Sequence, residues 1–258
     1  MDAPQDVVGR VAAILRAVSA REPNGSTTSA VARSVNLARP TVHRILTSLL
    51  DEGLVDRGET GRWLLGPELY LFGTAAANRY DVRAIAHPWV RHLAEETGES
   101  AFFSAVRGDE TVCLLREDGA FPIRSHVLYE GVRFPLGVVS AGIAVLAFLP
   151  DREIDQFLAT HDLTETYGQT HAEPEIRRRL EKTRQCGWSL NAGHIVPGSW
   201  GMAATVFGPG ERPVGALTLT GIEARMGAER QPALGALLLK SAHTLSSELQ
   251  RSRKMKER

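Results

Sequence analysis

Residues 39–65 read RPTVHRILTSLLDEGLVDRGETGRWLL, a helix pattern followed by a hairpin pattern. Val42, Ile45, Leu46 and Leu49 recur at helical spacing, which predicts a helix over Arg39–Asp51. Pro40 fits its first turn, where the amide that proline lacks has no intrahelical partner. Gly53 closes the helix, and Leu54–Arg57 and Arg62–Leu65 then flank Gly58-Glu59-Thr60-Gly61, a hairpin signal. With the apolar face assigned, Arg39, Thr41, His43 and Arg44 are left on the rest of the helix surface.

Upstream, Val8, Val11, Ile14, Leu15 and Val18 form one apolar stripe of a first helix, ended by Pro23-Asn24-Gly25. Thr27 can cap a short second helix that buries Val31 and Val35, although Ala30 stands where a capping box would place Glu. A short helix, a turn, a second helix with Arg, Thr and His exposed, and a hairpin make the pattern of a winged helix-turn-helix. Residues 33–50 contain Arg33, Arg39 and Arg44 and no acid, so the helix expected to enter a DNA groove is basic. Arg62, on the wing, is expected at a phosphate. A small helical bundle with solvated arginines has the same composition; the order of elements favours the first reading.

The whole chain of 258 residues carries 30 basic and 30 acidic groups, so nucleic-acid binding must come from such local patches and not from a global field. The length suits one large domain or two modest ones. Cys113 and Cys186 are its two cysteines, too few for a disulfide scaffold or a Cys-rich zinc site. The start, MDAPQDVV, has no basic n-region and no apolar core, and Leu136–Pro150 is shorter than the roughly 20 residues of a spanning helix. A soluble, cytoplasmic protein with no membrane partner is expected.

Beyond Gly66-Pro67, a connecting helix is predicted over Glu68–Arg79 and a longer one over Asp81–Thr97, with a kink or restart at Pro88. Strands are predicted at Ala101–Val106, Thr111–Arg116, Ala203–Phe207 and Val214–Thr220. Helices are predicted at Ser140–Phe148, Asp151–Thr160, Pro174–Gln185 and about Ala228–Leu249. Strands at both ends with helices between and around them suggest an α+β domain with an antiparallel sheet. Thr218 and Thr220 alternate with Leu217 and Leu219, so they share a strand face and can point together into a cavity or serve as plain sheet residues.

The string from Arg39 to Val55, followed by Gly61-Arg-Trp-Leu-Leu-Gly-Pro, resembles the recognition helix and wing of the IclR family of bacterial transcriptional regulators. His92-Leu-Ala-Glu-Glu-Thr-Gly-Glu, Leu146-Ala-Phe-Leu-Pro, Gly187-Trp and Gly215-Ala-Leu-Thr-Leu-Thr-Gly extend the resemblance over nearly the whole chain. It implies a winged helix-turn-helix domain over 1–66, a linker helix over 67–80 used in dimerisation, and a GAF-like domain over 81–258 that binds a small organic effector. The expected partners are a double-stranded DNA operator, an effector, and a second copy or a tetramer; no cofactor or metal is implied.

The resemblance also implies effector contacts. Backbone amides at Ser140 and Ala141 would hold a small acid at a helix start. By alignment, a position where an acid is common falls on Asn191, one where Cys is common on Gly201, one where His is common on Gly137, and two hydroxyls on Thr218 and Thr220. If Asn191, Gly201 and Gly137 all line the cavity, it should be larger and less charged, favouring an aromatic effector; the glycines could instead serve the backbone. His194 reads more readily as a surface residue than as a ligand contact, Trp200 and Cys113 as core, and Cys186 as partly exposed.

An enzyme finds little support. Pro213 spoils a dinucleotide fingerprint at Gly208-Pro-Gly-Glu-Arg-Pro-Val-Gly, no P-loop occurs, and Pro197-Gly-Ser-Trp-Gly lacks the first glycine of a nucleophile elbow. The eight histidines form no zinc motif. The remaining alternative is a DNA-binding protein whose C-terminal domain only oligomerises.

Overall fold

The structure, a computed structural model, describes residues 6–77 and 82–256. The chain divides into two compact units, 1–81 and 82–258.

In the first unit, helices α1 (Val7–Ser19), α2 (Thr28–Ser34) and α3 (Arg39–Asp51) are followed by the hairpin β1 (Val55–Arg57) and β2 (Trp63–Leu65) and by helix α4 (Pro67–Ala77). Asp6 caps α1 by accepting from the Gly9 amide at 2.6 Å, and the Thr27 hydroxyl caps α2 by accepting from Ala30 N at 3.2 Å. Ile14, Val18, Val31, Val42, Leu46 and Trp63 are buried together. Val8, expected in the apolar stripe, is exposed beside Val7, because the first turn of α1 runs past this core. Trp63 fastens the wing to the helices: its indole N–H donates to Thr28 Oγ1 at 2.9 Å, and its backbone bridges Ser26. Of the connecting helix expected over Glu68–Arg79, and of the linker expected over 67–80, residues 78–80 lie outside the described residues.

In the second unit, helix α5 (Val82–Thr97) precedes strands β3 (Ser100–Arg107), β4 (Glu110–Glu117) and β5 (Arg133–Pro135). Helices α6 (Ser140–Ala147), α7 (Asp151–Thr160), α8 (Thr164–Tyr167) and α9 (Glu173–Cys186) follow. Strands β6 (Trp188–Ala192), β7 (Ser199–Phe207) and β8 (Pro213–Ile222) then lead into α10 (Gln231–Lys256). The six strands form one antiparallel sheet in the order β5-β4-β3-β8-β7-β6.

One face of the sheet packs on α5 and α10 through Val90, Leu93, Met202, Leu217, Leu219 and Leu238. The other face packs on α6, α7 and α9 through Ala203, Ala216, Ile143, Phe157 and Ile176. Helix α5 passes Pro88 without a restart, since Pro88 and the residue four before it, Ala84, are both exposed and the freed carbonyl of Ala84 lies on the solvent side. Gly187 ends α9 in the left-handed conformation, φ 83°.

Candidate functional site

The first unit presents α3 as an exposed polar face. Arg39, His43 and Arg44 are exposed, Thr41 is half-buried, and Val42, Leu46 and Leu49 face the core. Thr47 and Ser48 extend the same face and turn their hydroxyls onto the His43 and Arg44 carbonyls. Arg62 points back from the wing, with Nη1 donating to Gly25 O at 3.4 Å, and shares a shallow pocket with Arg21, Arg33 and Thr27. Arg57, on the wing's first strand, lies 4.5 Å above the Trp63 ring. These four exposed arginines join Arg39 and Arg44 on this unit; of the four, Arg21 and Arg57 carry no helical or motif signal that would single them out.

In the second unit, the register sets Asn191 opposite Gly201, Gly201 opposite Thr220, and Ala203 opposite Thr218. The start of α6 stands over them. No side chain caps α6, so the amides of Ser140 and Ala141 have no partner within the helix. A small cavity of about 20 Å³ opens here, lined by Ser140, Asn191, Gly201 and Thr220 and walled by Leu128 and Trp200. That is room for about one water.

Thr218 and Thr220 are both buried, and each hydroxyl oxygen lacks a hydrogen-bond partner among the described residues. Thr220 lines the cavity, whereas Thr218 lies deeper, between Ala203 and Phe102 of the neighbouring strands. Gly201 removes volume from the cavity wall, since a Cβ there would stand 3.0 Å from Ser140 Oγ. Gly137 does not. Its φ is +90°, and a Cβ on it would meet Leu163 and Ile176 at 3.2 and 3.3 Å, so it serves the backbone within the apolar core. Ala141 is fully buried and can contribute only its amide.

Asn191 is a brace. Its Nδ2 donates to Val138 O at 3.1 Å, and its Oδ1 accepts from His194 N at 3.1 Å. His194 is half-buried and not a plain surface residue, because Nδ1 accepts from Arg179 Nη1 at 3.3 Å. Burial, followed by the Arg179 charge, pulls its pKa below the ordinary imidazole value. Trp200 is partly buried against the sheet core and also walls the cavity. Cys113 is buried in the sheet, where desolvation pushes its thiol up to about 12, and Cys186 is partly exposed.

A larger open cleft of about 830 Å³ adjoins the cavity, and Ser125, Val127 and Ser199 border both. Between them the Ser125 and Ser199 hydroxyls lie 2.6 Å apart in a hydrogen bond. Ser125 belongs to the irregular segment 118–132, whose near end is held where Arg225 stacks 4.1 Å over Phe121 and donates to Ile123 O. Neither serine stands out in the sequence, since both lie where periodicity carries no signal. Among the described residues, no helix is long and apolar enough to cross a membrane.

Residues 7–59 match the family model of the IclR helix-turn-helix domain, and residues 74–247 match that of the bacterial transcriptional regulator IclR C-terminal domain. The chain is 32% identical over 193 residues to the HTH-type transcriptional regulator TtgV of Pseudomonas putida, covering 74% of this chain and 73% of that one. It is 27% identical over 225 residues to the transcriptional repressor IclR of Escherichia coli, covering 86% and 82%. Among solved structures it is similar, with a TM-score of 0.73 at 19% identity, to an IclR homolog from Microbacterium hydrocarbonoxydans complexed with 4-hydroxybenzoate; the match covers 93% of this chain and 98% of that one. The first two relatives are named as regulators, not as enzymes.

Proposed function

The chain belongs to the IclR family of bacterial transcriptional regulators, with a helix-turn-helix DNA-binding domain, and on that premise we propose that it is a cytoplasmic, effector-responsive regulator acting as a dimer or tetramer. Arg39, Thr41, His43 and Arg44 enter the major groove of the operator, and Arg62, with Arg21 and Arg33 beside it, meets the phosphate backbone. The cavity under the start of α6 takes a small organic effector.

The observation that carries the effector reading is the pair of buried, unpartnered hydroxyls at Thr218 and Thr220. Buried polar groups without partners are rare; Thr220 lines the cavity beneath an uncapped helix start, where it suits a polar ligand head, and Thr218 stands behind it on the same strand face. The apolar wall of Leu128 and Trp200 suits a flat body, and opening the Ser125–Ser199 contact would join the cavity to the 830 Å³ cleft. An aromatic carboxylate fits this description, and the 4-hydroxybenzoate in the Microbacterium relative is of that class. Room for a bulky effector comes from Gly201 and from this opening, not from Gly137.

Exposed Tyr70, Leu71 and Phe72 on α4 support pairing with a second copy. Two half-sites about 10–10.5 bp apart, or a multiple of that, are then expected in the operator. A thermal-shift screen of aromatic acids tests the effector reading, since a ligand that binds the native state raises the melting temperature. A panel without any shift would favour a C-terminal domain that only oligomerises.

A further inference from the structure

Arg179 is 7% exposed, and its side chain makes four hydrogen bonds among the described residues. Nε donates to Glu175 O at 3.3 Å, Nη1 to His194 Nδ1 at 3.3 Å, and Nη2 to Thr170 O at 3.0 Å and Gly137 O at 3.5 Å. All four acceptors are uncharged. Glu175, the acid whose charge reaches Arg179, gives its carboxylate to Arg178 at 2.6 Å. Arg178 adds a second positive charge nearby, while burial pulls the His171 and His194 pKa values below the ordinary imidazole value.

A buried charge normally comes with a partner, because its desolvation is costly. The direction in which this charge looks is therefore informative. Arg179 holds the Gly137 carbonyl, the first residue of the turn that leads into α6, and through His194 it reaches Asn191. Asn191 and His171 both bond the Val138 carbonyl of that turn. Val139 and Ser140 of the same turn line the cavity, which has Asn191 and Thr220 on its wall and no charged side chain among its lining residues.

We propose that Arg179 is the counter-charge of an anionic effector, acting through the turn 137–140 on a carboxylate held at Ser140, Asn191 and Thr220. This rests on the effector-cavity reading and deepens it. The arginine does not touch the ligand; it is a positioning and selectivity residue whose field is transmitted across one layer of backbone. A low local dielectric strengthens such a field. It also selects an acid over its amide or alcohol without placing a charge in the cavity wall.

A thiol placed in the cavity reads this field without any ligand. Gly201→Cys points a side chain at the cavity, and Cys113 in the same sheet, raised first by burial and then by the Glu130 charge, is the comparison thiol. Thiolate absorbance, corrected for the parent protein, should titrate at or below the ordinary thiol value of about 8.5. Adding Arg179→Gln should raise it by about one pH unit, and Arg179→Lys should restore it. The Gln variant keeps a donor for the Thr170 and Gly137 carbonyls and so addresses folding; the single Gly201→Cys protein needs no change at Arg179. A thiol raised towards the Cys113 value in the single variant, or one unmoved by Arg179→Gln, overturns the proposal. Benzoate and benzamide, compared by thermal shift on the parent protein, separate the two readings. Benzamide bound as well as benzoate defeats the counter-charge and leaves the cavity reading standing. No shift from either compound counts against the effector-cavity reading, and with it against the counter-charge, whatever the thiol does.

Discussion

Gly201 and Thr220 stand opposite each other on β7 and β8, and a Cβ on Gly201 would lie 3.0 Å from Ser140 Oγ and 3.7 Å from Thr220 Cγ2. The glycine therefore leaves open the space between the start of α6 and the strand. Gly201→Val should fill it. DNA affinity should stay within about threefold of the parent, while release of DNA by an aromatic acid should need at least about ten times more ligand, because an overpacked site costs about 1–3 kcal/mol to reopen. Fluorescence anisotropy with labelled operator reads both numbers. Unchanged ligand sensitivity would place the effector elsewhere.

The Ser125–Ser199 hydrogen bond, 2.6 Å long, lies where the cavity and the cleft meet. A net hydrogen bond of this kind contributes about 0.5–1.5 kcal/mol, so Ser125→Ala should speed ligand entry by roughly two- to tenfold. Stopped-flow quenching of tryptophan fluorescence, with Trp200 on the cavity wall, is the appropriate measurement. An association rate equal to that of the parent would mean that the contact does not gate entry.

Operator contacts can be separated by salt. Arg44→Ala should weaken operator binding by about 1–3 kcal/mol if the side chain reads a base, and should lower the salt slope by about one if it holds phosphate. Arg62→Ala should show the second behaviour, given its position beside Arg21 and Arg33. A folded Arg39→Ala/Arg44→Ala protein with parent-like affinity would contradict the assignment of α3 as the recognition helix.

His171 is 1% exposed, and burial pulls its pKa below 6.5 more strongly than the Tyr167 and Val138 carbonyls raise it. The unfolded chain therefore takes up this proton first. Stability should be complete above about pH 6.5 and fall as the pH drops below it, with His194 acting in the same direction. Urea midpoints between about pH 8 and about pH 5 should show this fall, and His171→Gln should reduce it. A midpoint that rises as the solution is acidified would show that the imidazole is held charged.

The elements legible in the sequence are those whose burial follows a simple period. Val42, Ile45, Leu46 and Leu49 mark α3, and Leu217 and Leu219 mark β8. Strand β6 is not, because its inward residues are polar: Ser189 donates to Ser140 O, and Asn191 donates to Val138 O, which inverts the expected alternation. Strand β5 is a three-residue edge without a pattern.

The cavity is legible at Thr220 from strand alternation and at Ser140, Asn191 and Gly201 only through resemblance, and the same alignment also suggests Gly137, which faces Leu163 and Ile176. Arg179 is hidden by its neighbours. Arg177 and Arg178 form surface pairs with Asp155, Glu173 and Glu175, and three successive arginines on one helix read as a solvated face.

The most direct test of the account is anisotropy of operator DNA, titrated with 4-hydroxybenzoate, benzoate and pyruvate, on the parent protein and on Thr218→Val/Thr220→Val. The account predicts that an aromatic carboxylate shifts the DNA affinity of the parent at least about fivefold, a coupling of about 1 kcal/mol, and that the double variant binds DNA but no longer responds. A response to pyruvate with none to either aromatic acid, or an aromatic response that survives in the double variant, would contradict it.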